Sequence, residues 1–468
     1  MAQIIRRDKA LAVNPLKVSQ PVGASLAFLG IRNAIPMMHG SQGCTAFAKV
    51  FLVRHFREPI PLQTSAMDHG SAVMGADDNV LEGLAGIIGK RKPALVGLPT
   101  TGLSETQGTD IRRLVREFRA QHPELSATPV IAVNTPDYSG CLESGYALAV
   151  EAMLDALVIE DRSRAGRRPR QVNVLAGSLL TAADIEQLKE LIEAFGLTPV
   201  VLPDLADALD GHLTDAPFTP FSVGGTPLEA FATLGEAALT LVIGRSLGKA
   251  ADILAARTGV PDRRFDSLMG LQRVDALVDC LRQLSDQPVP ASLERQRAQL
   301  QDCMVDTHFM LGYARYAIAA DPDLLFALAD LVASMGGETV AAVAPAQAPI
   351  LAELACAQVK IGDLQDLEKL AAEGHAQVLL ANSHAAQSAE RLDIPLQRAG
   401  WPLYDRIGGQ MQLWIGYRGT RQTLCNLANL MLGEIHKHEV QPYRSIYAVR
   451  PADGSPTHAP QVPPPCAT

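Results

Sequence analysis

Short continuous apolar runs alternate with longer amphipathic stretches along nearly the whole chain. That alternation constrains the fold more than any other feature. A strand buried on both faces is apolar throughout, and the helix returning to the same sheet is apolar along one side only, so the pattern predicts α/β domains with parallel sheets. Residues 94–98 read as one such strand, ending in Pro99, Thr100, Thr101 and Gly102. A helix follows over 110–120, a strand over 130–134, a loop through Asp137, and a helix over 142–159. A second unit opens with a strand at 171–176, a helix at 182–195 closed by Gly196, and a strand at 199–202. A charged helix over 292–304 leads into a third unit with strands at 316–320, 339–343 and 377–381 and a closing helix over 422–435.

The expected organisation is therefore three Rossmann-like domains with mostly parallel sheets flanked by helices, over 1–165, 166–290 and 291–440. The length of 468 residues suits three domains. Residues 441–468 form a C-terminal segment whose tail carries five prolines after residue 454 and is expected to be disordered.

Several functions are excluded by composition. The net charge is −9, and the densest basic cluster (Arg162, Arg164, Arg167, Arg168, Arg170) flanks Gly166 and Pro169 and reads as a solvated linker, so no nucleic acid is expected. No apolar run reaches the length that spans a bilayer, and the N-terminus lacks a secretory core, so a cytoplasmic protein without membrane attachment is expected. Seven scattered cysteines without a CxxC pair exclude a disulfide framework and offer no closed metal site in this chain alone. Neither GxGxxG nor GxxxxGK[ST] occurs, so any ATP hydrolysis falls to another chain. Charged residues are only 19% of the chain, which fits either a large subunit interface or a large buried core.

Ligands of parallel α/β sheets sit beyond the carboxyl ends of the strands, which directs attention to the loops after Leu98, Asn134 and Ala381. The most informative motif is His39-Gly40-Ser41-Gln42-Gly43-Cys44. Gly40 and Gly43 let the backbone turn tightly and approach a bulky group. The amphipathic pattern from Thr45 to Phe56 puts Cys44 at a helix N-terminus, where unpaired N–H groups and the helix dipole favour a thiolate able to ligate iron. The same residues also allow a small thiol packed in a tight turn.

This motif, the preceding stretch from Lys9 through Asn14-Pro15, the following Arg54-His55-Phe56-Arg57-Glu58-Pro59, and the pieces Asn134-Thr135-Pro136, Asp321-Pro322-Asp323 and Gly416-Tyr417-Arg418-Gly419 resemble the nitrogenase component 1 β-subunit superfamily. Within it the chain is most similar to the NifN family, and the likeness runs to about residue 440. The resemblance implies a β-type subunit of the NifEN scaffold, on which the iron–molybdenum cofactor matures before transfer to apo-nitrogenase. It implies a NifE-like α subunit in an α2β2 heterotetramer, docking of the nitrogenase iron protein, and a precursor of the iron–molybdenum cofactor held mainly by the α-type partner.

The catalytic β subunit supplies three cysteines to an eight-iron cluster, and the first matches Cys44. The second would fall after Pro59, where this chain has Ile60-Pro61-Leu62-Gln63; the third would fall at Thr101; a serine ligand would lie near Asp137. With one thiolate left, the resemblance implies a [4Fe–4S] cluster shared with the partner, with Cys44 as this chain's metal ligand and the remaining cysteinates on the neighbour. The expected role is an assembly platform with electron-transfer capability, without catalytic residues of its own. A catalytic nitrogenase-type or protochlorophyllide-reductase-type β subunit, and a metal-free Rossmann-like binding protein, are the alternatives.

Other residues have two readings each. Cys141 is a substitute ligand or a packed thiol, and His39 contacts the cluster or caps the turn. His55 is read as stabilising a helix end, and Asp77-Asp78 as a cation site or a solvated loop. Cys280, Cys303, Cys356 and Cys425 fall on helical patterns as core residues, and Cys466 is incidental. His436 and His438 are spaced against joint metal binding.

Overall fold

The computed structural model describes residues 2–213, 221 and 224–437. The chain opens with β1 (Gln3–Ile5), which does not stay with the residues that follow it but lies parallel to a strand near the far end of the chain. The first sheet contains β2 (Ala34–Met38), β3 (Gln63–Thr64), β4 (Leu95–Pro99) and β5 (Val130–Val133), in the order β3-β2-β4-β5. The second is β7-β6-β8-β9, from β6 (Arg168–Ala176), β7 (Thr198–Leu202), β8 (Ala237–Ile243) and β9 (Asp262–Phe265). The third is β1-β12-β11-β10-β13-β14, from β10 (Arg315–Ala319), β11 (Glu338–Ala344), β12 (Gln358–Ile361), β13 (Val378–Ala381) and β14 (Leu396–Arg398).

All these pairings are parallel, and helices flank the sheets, as the alternation predicts. The central strands are continuous apolar runs because both faces are covered: β2 and β4 are buried at every residue. Among the described residues no helix is long and apolar enough to cross a membrane.

The N-terminal crossing is anchored by charge. Lys9 Nζ lies 2.6 Å from Asp363 Oδ1, and the other oxygen of Asp363 accepts the Val13 N–H at 2.9 Å. The chain then enters the helix Gln20–Leu29, every residue of which is buried. It packs on the helix Leu142–Leu157 through two glycines. A Cβ on Gly23 would lie 1.9 Å from the Leu142 carbonyl oxygen, and one on Gly145 would lie 2.0 Å from that of Gln20. Only glycine permits this approach.

The three sheets meet around buried acids. The Glu143 carboxylate accepts the Asp323 N–H at 2.8 Å, and Asp323 accepts the Ser246 N–H at 2.9 Å. Burial, and then the neighbouring acids, push Glu143 well above the ordinary carboxyl range. A small cavity lies beside this junction, lined among others by Glu143, Ser178, Asp321, Asn382 and Trp401.

Five local expectations are corrected. The arginine cluster is not simply a linker: Arg168 opens β6, and Arg164 and Arg168 both pair with Glu236, whose largely buried side chain draws two cations to it. The helix expected over 292–304 runs Ala291–Leu311 before Gly312, and the closing helix starts at Gly416, six residues earlier than read. Asp77 and Asp78 form the first turn of a helix (Asp77–Arg91), where the dipole favours acids, and Asp77 pairs with Arg113. Cys356 precedes β12 rather than lying on a helix. The proline-rich tail, Cys466 and His438 lie outside the described residues, as does the side chain of His436.

A candidate metal-cluster site at the Cys44 turn

The strand β2 ends at Met38, and the next three residues continue it as isolated rungs between neighbouring loops. His39 bridges Thr100 and Ser41 bridges Met67. The His39 N–H donates to Pro99 O at 2.9 Å, and its carbonyl accepts from the Thr101 N–H (3.1 Å), Thr101 Oγ1 (3.0 Å) and Ser104 Oγ (2.9 Å). On the other side Gly40 N donates to Ser65 Oγ at 3.1 Å, and the Met67 N–H donates to Gly40 O at 2.9 Å. The turn is therefore clamped on both edges before the helix Gln42–Phe56 begins.

Ser41 caps that helix by position, but its hydroxyl donates to Cys44 Sγ at 3.4 Å rather than accepting a backbone N–H. Cys44 is the third helical residue and so lies in the first turn, whose backbone N–H groups lack partners within the helix. It is half-buried, and its thiol is free.

The two glycines serve different ends. Gly40 is buried, and a Cβ there would lie 2.3 Å from Thr101 Oγ1 and 2.6 Å from Thr101 Cγ2. Gly43 is exposed, with only Ser41 Oγ, at 3.9 Å, near such a Cβ. Gly40 thus permits the packing beneath the turn, and Gly43 leaves the space above it open.

Cys44 stands within an exposed apolar face. Phe47 (71% exposed) and Val50 (50%) follow it at helical spacing, and Leu103, on the short helix Gly102–Gln107 after β4, and Tyr138, in the loop after β5, are exposed as well. Val73 and Met74 belong to the short helix His69–Met74, which Gln107 ties to this edge by donating to Ser71 O at 2.6 Å. Sequence reasoning did not anticipate this face. The signal was present in the helix after Cys44, which carries apolar residues both on its buried side (Ala48, Leu52, Phe56) and on its outer side (Phe47, Val50).

Where two further thiolates would be needed, the chain is closed. Ile60 and Leu62 are packed in the core, and Thr101 is fully buried with its hydroxyl engaged by His39 O. Asp137 accepts the Gly102 N–H at 2.9 Å, and its carbonyl accepts Lys17 Nζ at 2.8 Å. Among the described residues no group of three or more His, Cys, Asp or Glu side chains is arranged to hold a metal ion. The described residues offer one cysteine sulfur at this turn and do not fit a cluster enclosed by this chain.

His39 is fully enclosed, with Nδ1 at 2.9 Å from Ser65 Oγ, and burial lowers its pKa to about 4. Its neutral ring buttresses the turn from beneath. Cys141 is 1% exposed, and burial raises its thiol well above the usual range, with the adjacent Asp321 and Glu143 charges adding to the effect. It remains a protonated, packed thiol. His55 ends the Cys44 helix as expected: its ring stacks on Trp401 at 3.5 Å, and Nδ1 accepts the Leu403 N–H at 2.9 Å.

A family profile decides the relationship: that of nitrogenase component 1 type oxidoreductases matches residues 19–432. The chain belongs to the nitrogenase component 1 family. Among its relatives are the proteins named nitrogenase iron-molybdenum cofactor biosynthesis protein NifN. That of Klebsiella pneumoniae is 45% identical, with 95% of this chain and 96% of the relative covered. The Rhodobacter capsulatus protein is 43% identical over 98% of this chain and 100% of its own length. A solved structure titled nitrogenase Cp1 at pH 6.5 superposes with a TM-score of 0.85 at 30% identity, covering 93% of this chain and 96% of that one. Nitrogenase component 1 relatives therefore account for the three-sheet architecture along nearly the whole chain.

Proposed function

We propose that this chain is the β-type subunit of a NifEN-type scaffold on which the iron–molybdenum cofactor of nitrogenase is matured before transfer to apo-nitrogenase. The observation that carries the reading is a single free thiol, Cys44, at a helix N-terminus inside an exposed apolar face, with the other two expected ligand positions filled by buried, non-ligating side chains. Exposed aromatic and aliphatic side chains such as Phe47 and Val50 on the Cys44 helix suit a protein contact. The NifN name borne by relatives 42–45% identical supports the same role.

On this reading a NifE-like α subunit covers the face and supplies the remaining cysteinates of one [4Fe–4S] cluster. When bound, that cluster supplies one-electron transfer. Cys44 holds one iron, the open side of Gly43 admits the cluster, and Gly40 keeps the supporting turn packed on Thr101. The precursor of the cofactor belongs on the partner: the cavity at this chain's own three-sheet junction is lined by Glu143, Asp321 and Asn382, with no thiol among its lining residues.

A second apolar stripe, Val305, Phe309 and Tyr313 on and just beyond the helix Ala291–Leu311, supports pairing of two αβ units into an α2β2 assembly. The nitrogenase iron protein is the electron donor and ATP hydrolase, and the assembly is cytoplasmic. Anaerobic co-purification with the α-type partner, followed by iron quantification, tests the reading. A brown complex whose iron falls on Cys44→Ala substitution supports it; a colourless chain that binds no partner overturns it.

A further inference from the structure

The helices Ala291–Leu311 and Gly416–Lys437 run side by side in the same direction. Asp275 accepts from Arg297 on the first and Tyr417 on the second. Next along, Arg421 Nη1 donates to Gln299 Oε1 at 2.7 Å, and Cys303 Sγ then lies 3.6 Å from Arg421 O and 3.3 Å from Cys425 Sγ. The two sulfurs face each other across the helix–helix seam, 122 residues apart in sequence. One is 7% exposed and the other half-exposed.

We propose that Cys303 and Cys425 are a thiol-modification site, a dithiol that a low-molecular-weight disulfide such as oxidised glutathione converts to an intrachain disulfide. A disulfide requires a sulfur separation of about 2.05 Å, so the pair must close by roughly 1.3 Å, within reach of side-chain rotation on two facing helices. The more accessible Cys425 attacks one sulfur of the oxidant. An S–S bond forms to that half, and the other half leaves as a thiolate that takes the Cys425 proton. Cys303 then attacks Cys425 Sγ and expels the second thiolate, which takes the Cys303 proton. Two thiols of the protein lose two electrons and two protons, and one small disulfide becomes two small thiols. Burial pushes the Cys303 thiol up to about 12, which suits the second, enclosed position and makes this closure the slow step.

The cross-link staples the seam beside the exposed Val305–Phe309–Tyr313 stripe, and it closes a long loop that constrains the unfolded chain. The site is independent of Cys44 and of the reading proposed for it.

The test equilibrates the full-length chain anaerobically with oxidised glutathione, blocks free thiols with N-ethylmaleimide, and maps the digested peptides by mass spectrometry. The expected result is one linked peptide pair joining Cys303 to Cys425, absent after reduction, with a raised thermal midpoint that Cys425→Ala abolishes. In Cys303→Ala, Cys425 should instead retain glutathione. Half-buried Cys356, which faces Gln358 O rather than a second sulfur, serves as a reactivity control. If Cys356 takes up glutathione while Cys303 and Cys425 both carry maleimide, or if wild-type Cys425 keeps glutathione without closing, the proposal is overturned.

Discussion

Thr101 occupies the space that a side chain at Gly40 would need: its Oγ1 lies 2.3 Å, and its Cγ2 2.6 Å, from where a Cβ would stand. The contact joins the loop after β2 to the loop after β4 directly beneath the Cys44 turn. Gly40→Ala should therefore destabilise the chain by about 1–3 kcal/mol, the usual cost of overpacking. Adding Thr101→Ala should recover part of that loss, because it removes both clashing atoms. Denaturant midpoints of the two single variants and the double variant give the coupling; strict additivity would mean that the turn yields elsewhere.

Cys44→Ala should change stability by less than about 0.5 kcal/mol, since the thiol is half-buried and is held by a hydrogen bond from the Ser41 hydroxyl rather than by core packing alone. The same variant, co-expressed with an α-type partner and purified without oxygen, should lose interface iron while remaining assembled. A large fall in unfolding midpoint together with full iron retention would assign the residue to packing instead.

Phe47→Asp places a charge on a side chain that is already 71% exposed, so folding should be unaffected. Association with the α-type partner should weaken by on the order of tenfold or more, as expected for an aromatic anchor in a contact face. Sedimentation of the mixed subunits reads this directly, and undiminished association would move the interface away from the Cys44 helix.

Asp184 sits at the start of the helix Ala182–Glu193 and accepts the backbone N–H groups of Thr181, Trp414 and Ile415. Burial raises it to about 6 from its ordinary 3.8, outweighing those bonds. Between these values the unfolded chain releases a proton that the native chain retains, so this group's contribution to stability falls as pH rises through the window, by at most about 3 kcal/mol. Below the window both states are protonated, and above it both are ionised. Asp184→Asn cannot ionise, so its penalty relative to wild type should be larger at pH 4.5 than at pH 7. A penalty that grows with pH would show that the backbone donors, not burial, dominate.

The strands legible in the sequence were those buried on both faces. Residues 130–133, 174–176 and 378–381 are continuous apolar runs because β5, β6 and β13 bury these residues almost throughout. The edge strand β9 was not legible. β9 is Asp-Arg-Arg-Phe, held through its backbone to β8, and Phe265 is its single apolar side chain. The helix Gln20–Leu29 was silent for the opposite reason: it is buried all round, so no period separates an inner from an outer face.

At the candidate site, the glycine turn and the helix after Cys44 were readable because they are local. The other exposed apolar residues were not, since Leu103, Tyr138 and Val73 lie on segments that follow β4, β5 and β3 and join the Cys44 segment only through the folded sheet. The enclosure of His39 likewise depends on Ser65 and Thr101, residues far from it in sequence.

The pairing of Gln3 with Gln358 has a consequence for biosynthesis. During translation β1 leaves the ribosome 355 residues before its neighbour exists, a wait of roughly 20–70 s at bacterial elongation rates. The β1 edge of the largest sheet therefore closes only after β12 has been made, and a nascent fragment ending before β12 holds β1 without the strand it pairs with.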